Sequence, residues 1–73
     1  MNGKRLRQLR ERAGLSQREL SIKADVGVMA CSRIERGAVQ PTLSTLQAFA
    51  KALDVSVDEL LAEPEPEPAE QAS

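Results

Sequence analysis

The sequence lacks histidine, tryptophan and tyrosine, and it contains one cysteine, Cys31, and one aromatic residue, Phe49. Without an imidazole and with only one thiol, the chain has too few ligands for a metal site and no histidine for acid–base catalysis. One cysteine cannot form an internal disulfide, which excludes a stapled secreted mini-protein and fits a reducing cytoplasm. The sequence also shows no pair of carboxylates placed to form a catalytic pocket. We therefore expect a protein that is not an enzyme and that needs no cofactor.

Long hydrophobic runs are also missing. No apolar segment approaches the length of a membrane span or of a signal-peptide core, so the sequence predicts a cytoplasmic protein without a membrane partner. The 73 residues allow a single domain,. A chain this short buries little surface, so its core must be built from a few well-placed aliphatic residues.

The net charge of −1 hides a division between two parts of the chain. Residues 1–62 carry ten basic and seven acidic side chains, a net charge of +3, whereas residues 63–73 carry four glutamates and no basic residue, a net charge of −4. This asymmetry indicates a weakly basic domain with an acidic appendage. The predicted domains are therefore 1–62, the folded part, and 63–73, a disordered acidic tail.

The predicted tail begins with a glutamate–proline alternation over residues 63–68. Proline removes backbone donors and the glutamates repel each other, so the segment favours an extended, polyproline-like chain. Three roles stay open for it. It could be a solubilising end, a charged decoy that competes with phosphate, or a docking strip for another protein.

Ahead of the tail, the apolar residues follow a helical period, and no strand pattern is present. Gly14 and Gly37 mark helix ends, and capping boxes begin at Ser16 and Ser56. The sequence thus predicts an all-α, compact five-helix domain with helices over about 3–13, 17–24, 27–36, 43–53 and 57–61. The predicted core residues are Leu6, Leu9, Ala13, Leu20, Ala24, Cys31, Ile34, Leu43, Leu46, Phe49, Ala50 and Leu53.

The informative segment is helix, tight turn, helix, over residues 17–36. Two short helices at a steep angle form the frame that places the second helix in the major groove of DNA. Such a frame needs apolar inner faces and a small residue near the crossing. Ser21 is that small residue, and the inner faces are supplied by Leu20, Ala24, Val26, Cys31 and Ile34.

Several short segments follow one another in a characteristic order and spacing: Leu6…Leu9-Arg10, Gly14-Leu15-Ser16-Gln17-Arg18-Glu19-Leu20, Arg33-Ile34-Glu35-Arg36-Gly37, Pro41-Thr42-Leu43 and the segment 50–61. Together they resemble the Xre/Cro-like, or lambda-repressor-like, helix-turn-helix DNA-binding domains of the phage-repressor type. The resemblance covers roughly residues 3–61.

The resemblance implies a role for each matching position. Phosphate contacts would come from Gln17, Arg18, Arg36, Gly37 and Gln40. Base contacts would come from the outer face of the third helix, here called the reading face, at Gly27, Val28, Met29, Ser32 and Arg33. A structural salt bridge would join Arg10 to Glu35. A homodimer would form through Val55, Val57, Leu60 and Leu61.

The reading face departs from the family pattern. Relatives present polar residues where this chain has Gly27, Val28, Met29 and Ala30. Either Val28 and Met29 contact thymine methyl groups while Arg33 binds a guanine, or this helix reads less sequence than its relatives do. Cys31 lies on the inner edge of the same helix, where a free cysteine acts as a small hydrophobic residue rather than a redox sensor.

The sequence therefore predicts a sequence-specific double-stranded DNA-binding transcriptional regulator. We expect a repressor that binds a palindromic operator as a dimer, because one such domain reads only about half a turn of DNA. No small-molecule ligand is expected. The alternative is a protein-interaction module, antitoxin-like or polymerase-binding, with Val28 and Met29 as its anchor.

Overall fold

The computed structural model describes residues 1–66, which form five α-helices and no strand. The helices are α1 (Gly3–Arg12), α2 (Gln17–Ala24), α3 (Val28–Glu35), α4 (Leu43–Leu53) and α5 (Val57–Leu61). The all-α, five-helix prediction is confirmed. The end of the predicted tail, residues 67–73, lies outside the described residues.

Side-chain caps begin most of the helices, because the first backbone N–H groups of a helix have no partner within it. The Ser16 hydroxyl accepts the Glu19 N–H at 3.0 Å, and the Glu19 carboxylate accepts the Ser16 N–H at 2.9 Å, which completes the predicted capping box. The bond from the Ser16 backbone N–H to the carboxylate, and secondarily the Ser16 side chain, lower the pKa of Glu19. The hydroxyls of Thr42 and Ser56 cap α4 and α5 by accepting the N–H three residues on, but no bond returns from Glu59 to the Ser56 N–H, so the predicted second capping box is only half formed.

Left-handed residues end the helices or follow them closely. Gly14 (φ 74°) and Gly37 (φ 77°) follow α1 and α3, and Asp25 (φ 55°) and Asp54 (φ 56°) cap α2 and α4. Aspartate tolerates this conformation better than most residues, and glycine adopts it without strain. α3 is one residue shorter at each end than predicted, because Gly27 is its N-cap and Arg36 its C-cap.

The core is formed by all five helices, with Leu6, Leu20, Cys31, Phe49 and Leu60 fully buried. Three predicted core positions are wrong. Ala13 is exposed because it follows the last turn of α1 as its C-cap, and Leu43, 65% exposed, is the first residue of α4. Leu46 is only half-buried. The fully packed part of α4 lies in its second half, at Phe49, Ala50, Ala52 and Leu53.

The first turn of α1 lies directly against the end of α3. A Cβ atom on Gly3 would overlap the backbone carbonyl oxygens of Ile34 and Glu35. Only glycine allows two backbones to approach this closely. Gly3 therefore sets the distance between α1 and the end of the helix that carries the reading face.

The chain beyond α5 returns to α1. The Glu65 N–H donates to the Gln8 Oε1 at 2.9 Å, and the Gln8 amide donates back to the Glu65 carbonyl. The Glu65 carboxylate also pairs with Arg12. The sequence predicts an unpacked tail from Glu63, whereas residues 63–66 include this docked glutamate, which a composition argument cannot foresee.

Candidate nucleic-acid interface

The turn between α2 and α3 fixes the angle at which the two helices meet. Asp25 adopts the left-handed conformation, and the Val26 N–H returns to the Ser21 carbonyl at 2.9 Å. Ser21 is buried, and its hydroxyl donates to the Arg18 carbonyl at 2.7 Å within α2. A small side chain whose hydroxyl bonds to its own helix fits the tight space beside the turn.

A buried ion pair joins α1 to α3. Arg10 donates from Nε to the Glu35 Oε2 at 2.7 Å and from a terminal nitrogen to Oε1 at 3.1 Å. The side chains of Arg10 and Glu35 are 12% and 4% exposed. The hydrogen bonds to Glu35 raise the pKa of Arg10 above its ordinary value, more than burial lowers it. Such a bidentate pair fixes both position and orientation.

The same carboxylate also holds the start of α2. The Gln17 amide donates to the Glu35 Oε1 at 3.1 Å, and Arg10 makes a further bond to the Leu15 carbonyl at 2.9 Å. Glu35 thus links α1 and α2 to the end of α3, and Arg10 joins the α1–α2 turn to the same pair. The sequence analysis missed the bond from Gln17, since nothing local connects residues 17 and 35. We call Arg10, Glu35 and Gln17 the Glu35 network.

The reading face is open to solvent. Val28 and Met29 are 45% and 65% exposed, Gly27 and Arg33 are exposed, and Ser32 is half-buried. The opposite face of α3 packs inward through Cys31 and Ile34. The helix therefore divides into one face that holds the fold and one that can contact a partner.

An apolar residue of α2 lies beside this face. Ile22 is 70% exposed, the largest exposure among the large hydrophobic residues of the described part. Ile22 and Val28 line one open cleft of about 500 Å³ between α2 and the start of α3, together with Ser21 and Val26. Arg18 and Asp25 supply the charged side chains of this cleft. The sequence analysis did not single out Ile22, although its position opposite Leu20 and Ala24 on α2 could have indicated it.

Four of the five residues predicted to contact phosphate are exposed, whereas the fifth, Gln17, is half-buried and donates its amide to Glu35. Arg18 is exposed in the first turn of α2, and Arg36 and Gly37 are exposed directly after α3. Gln40 is exposed in the loop to α4, where its Oε1 accepts a hydrogen bond from the N-terminal ammonium group at 2.8 Å. The start of a helix and arginine side chains both suit phosphate groups.

Cys31 is fully buried in the core. Burial, and secondarily the charge of Glu35, raises the pKa of its thiol. A buried thiol with a raised pKa is a poor nucleophile. Its packing in α3 matches the structural role predicted for it.

The four residues expected at a dimer contact differ in exposure. Leu61 is exposed, and Val55 and Val57 are half-buried. Leu60 is fully buried in the core between α5 and its neighbours, so its side chain cannot contact a second chain, and this assignment needs correction. In α5, Leu60 therefore faces the core and Leu61 faces solvent.

Residues 1–66 contain neither a helix that could span a membrane nor a cluster of metal-binding side chains. No helix among them is long and apolar enough to cross a bilayer. Nor do the cysteine, aspartate and glutamate residues in this part of the chain gather into a group that could hold a metal ion.

Known proteins are similar to this chain in sequence and in fold. A family model described as helix-turn-helix matches residues 6–60. The HTH-type transcriptional regulator PuuR of Escherichia coli is 41% identical over 63 residues, which are 86% of this chain and 34% of PuuR. This chain therefore spans about a third of the length of that relative.

Two solved structures show the same arrangement of helices. The biofilm master regulator SinR in complex with DNA has a TM-score of 0.81 and 40% identity, over 85% of this chain and 100% of that one. The restriction-modification controller protein C.AhdI from Aeromonas hydrophila has a TM-score of 0.78 and 36% identity, over 80% of this chain and 88% of that one.

Proposed function

Since this chain belongs to the helix-turn-helix family, we propose that it is a DNA-binding transcriptional regulator that inserts α3 into the major groove. The observation that carries this proposal is the division of α3 into a packed face and an open reading face. The Glu35 network holds α3 in fixed relation to the start of α2. A rigid frame of this kind presents base-contacting side chains without a further cost for ordering the backbone on binding.

The charges around the reading face support a nucleic-acid partner. Arg18 and Arg36 flank it from α2 and from the end of α3, and Arg33 lies on the face itself. Arginine can bind a guanine through two hydrogen bonds in the major groove, whereas contacts to phosphate fix the register of the protein on the duplex. We assign Arg33 and Ser32 to bases, and Gln17, Arg18, Arg36, Gly37 and Gln40 to phosphates.

The proposal extends to repression and to a homodimer. One domain reads only about half a turn of DNA, so useful specificity requires two domains on a palindromic operator. The surface proposed for this contact is formed by Val55, Val57 and Leu61, without Leu60. The protein would act in the cytoplasm, without enzymatic activity and without a small-molecule ligand.

The proposal is tested by incubating the full chain with a pool of random duplexes over a salt series and sequencing what is retained. We expect one short palindromic sequence to be enriched, with an affinity that falls steeply as salt rises. Weak, salt-sensitive retention without enrichment would contradict sequence-specific binding and would favour the alternative, a protein-interaction module.

Variants then separate the assigned roles. Arg33→Ala should weaken binding about 5- to 150-fold and relax the preference at one base position, as expected for loss of a bidentate contact. Arg36→Ala should weaken binding equally for all sequences and reduce its salt dependence. Lys51→Ala is the matched control, since it removes an exposed charge from the second half of α4. An equal loss in all three variants would contradict the assignment.

The dimer has its own measurement. Sedimentation equilibrium at high concentration is measured with and without the enriched duplex. After the mass of the duplex is subtracted, the protein mass should equal two chains in at least one condition. The mass of one chain in both would refute the dimer and leave the DNA-binding proposal standing.

A further inference from the structure

We propose that this protein recognises thymine methyl groups through an apolar patch formed by Ile22, Val28 and Met29. The inference rests on the proposed function, because it assumes that α3 enters the major groove. It adds the chemistry that the groove must present. The operator half-site should contain thymines whose 5-methyl groups face this patch.

The patch is exposed to solvent. Ile22, Val28 and Met29 are 70%, 45% and 65% exposed, although each is a large apolar side chain. Ile22 and Val28 line the same cleft, and Met29 follows Val28 on α3. Apolar side chains grouped on one surface indicate an interaction site more strongly than single exposed residues do.

The patch is continuous with the rest of the reading face. Ser32 and Arg33 lie one turn further along α3 and carry the hydrogen-bonding groups of that face. A surface that continues from the apolar patch to these polar residues would meet successive base pairs of a single groove. The patch would therefore be covered by the same duplex that Arg33 contacts.

The four base edges differ in whether they present an apolar group in the major groove. In the major groove, adenine, guanine and cytosine present donors or acceptors, and only thymine adds a methyl group. Ile22 and Val28 have no hydrogen-bonding side-chain group, and Met29 has only a weak acceptor. A polar base edge buried against them would lose its bonds to water without replacement, which is unfavourable. A thymine methyl would instead be buried against apolar atoms.

The test uses deoxyuridine, which differs from thymidine only in lacking the methyl group. Each thymine of the enriched site is replaced in turn by deoxyuridine, and the Kd of the full chain is measured for each duplex. At least one position should lose affinity about fourfold, the ratio that corresponds to burying one methyl-sized group.

Protein variants assign the methyl contact to the patch. In Val28→Ala, Met29→Ala or Ile22→Ala, the ratio between the thymine and deoxyuridine duplexes should fall toward one at the position that the removed side chain contacts. All three residues are exposed, so the variants should keep the helical circular dichroism signal of the parent. Leu43→Ala is the control, because Leu43 is as exposed as Met29 but lies at the start of α4. Its removal should leave the ratio unchanged.

The outcomes separate the two proposals. If no sequence is enriched at all, the proposed function fails. If a site is enriched but thymine and deoxyuridine bind equally at every position, only the methyl inference is overturned. It is also overturned if the patch variants weaken binding to both duplexes equally, because the patch would then contribute without contacting the methyl group.

Discussion

Removal of Glu35 is the sharpest test of how this domain holds its frame. In Glu35→Ala, the guanidinium of Arg10 loses both hydrogen bonds to the carboxylate and keeps its bond to the Leu15 carbonyl. The Arg10 side chain is 12% exposed, so water can solvate it only in part. Breaking a buried ion pair by removing one partner costs roughly 3–5 kcal/mol. Because Arg10 keeps one bond and some exposure, we expect a loss of about 3 kcal/mol in the free energy of unfolding.

That loss is large for a chain of 73 residues. At roughly 0.05–0.15 kcal/mol per residue, the whole domain would be stable by about 4–11 kcal/mol. Urea denaturation followed by circular dichroism at 222 nm measures the change. With a slope near 1 kcal/mol/M, the midpoint should fall by about 3 M, or the variant should be partly unfolded without urea.

A double variant distinguishes the cost of an unpaired charge from the cost of lost packing. Arg10→Met with Glu35→Leu removes both charges and keeps apolar volume, so it should be more stable than Glu35→Ala by about 2 kcal/mol. Gln17→Ala, which removes a neutral donor to the same carboxylate, should cost only about 1 kcal/mol. The reasoning is refuted if Glu35→Ala loses less than about 1 kcal/mol, or if the double variant is less stable than that single one.

Three further predictions concern other parts of the domain. Gly3→Ala should lower the urea midpoint because its Cβ would overlap the backbone of α3, even though alanine favours helices,. Gly27→Ala is the control, since a Cβ there meets nothing within 4 Å, and it should change the free energy of unfolding by less than about 1 kcal/mol,. The Cys31 thiol should react with iodoacetamide much more slowly in the folded protein than in urea, and equal rates would contradict its burial,. The folded pKa of Glu19 is lowered, so its stabilising contribution is present above the ordinary value of 4.5 and disappears as the pH falls through the folded pKa,. Urea midpoints of the parent and Glu19→Gln should therefore differ at pH 7 and converge once the pH is low enough to protonate Glu19 in the folded protein, whereas a constant difference would contradict the capping role,.

The sequence could predict the features that depend on neighbouring residues. The capping box from Ser16 to Glu19 and the left-handed glycines after α1 and α3 are local, so short motifs were sufficient to place the helix ends. Periodicity identified most of the core but failed at Leu43. An apolar stripe shows which side of a helix is buried, and it does not show where along the helix the neighbouring elements stop covering it.

The features that the sequence could not predict join residues far apart in the chain. Gly3 touches the end of α3, Gln17 bonds to Glu35, and Gln8 bonds to Glu65. Each depends on the packing of several helices at once. The same limit applies to Leu60, which resembles a surface residue in a short helix until the fold places it in the core.

The division of α3 into two faces has a consequence for how relatives of this protein can diverge. Cys31 and Ile34 hold the helix in the core, while Val28, Met29 and Arg33 point to solvent. Substitutions at exposed positions usually change stability by less than about 0.5 kcal/mol. A gene duplicate could therefore exchange its outward residues one at a time and acquire a new target site while staying folded throughout, whereas a change at the inner residues would be removed by selection before any new specificity appeared.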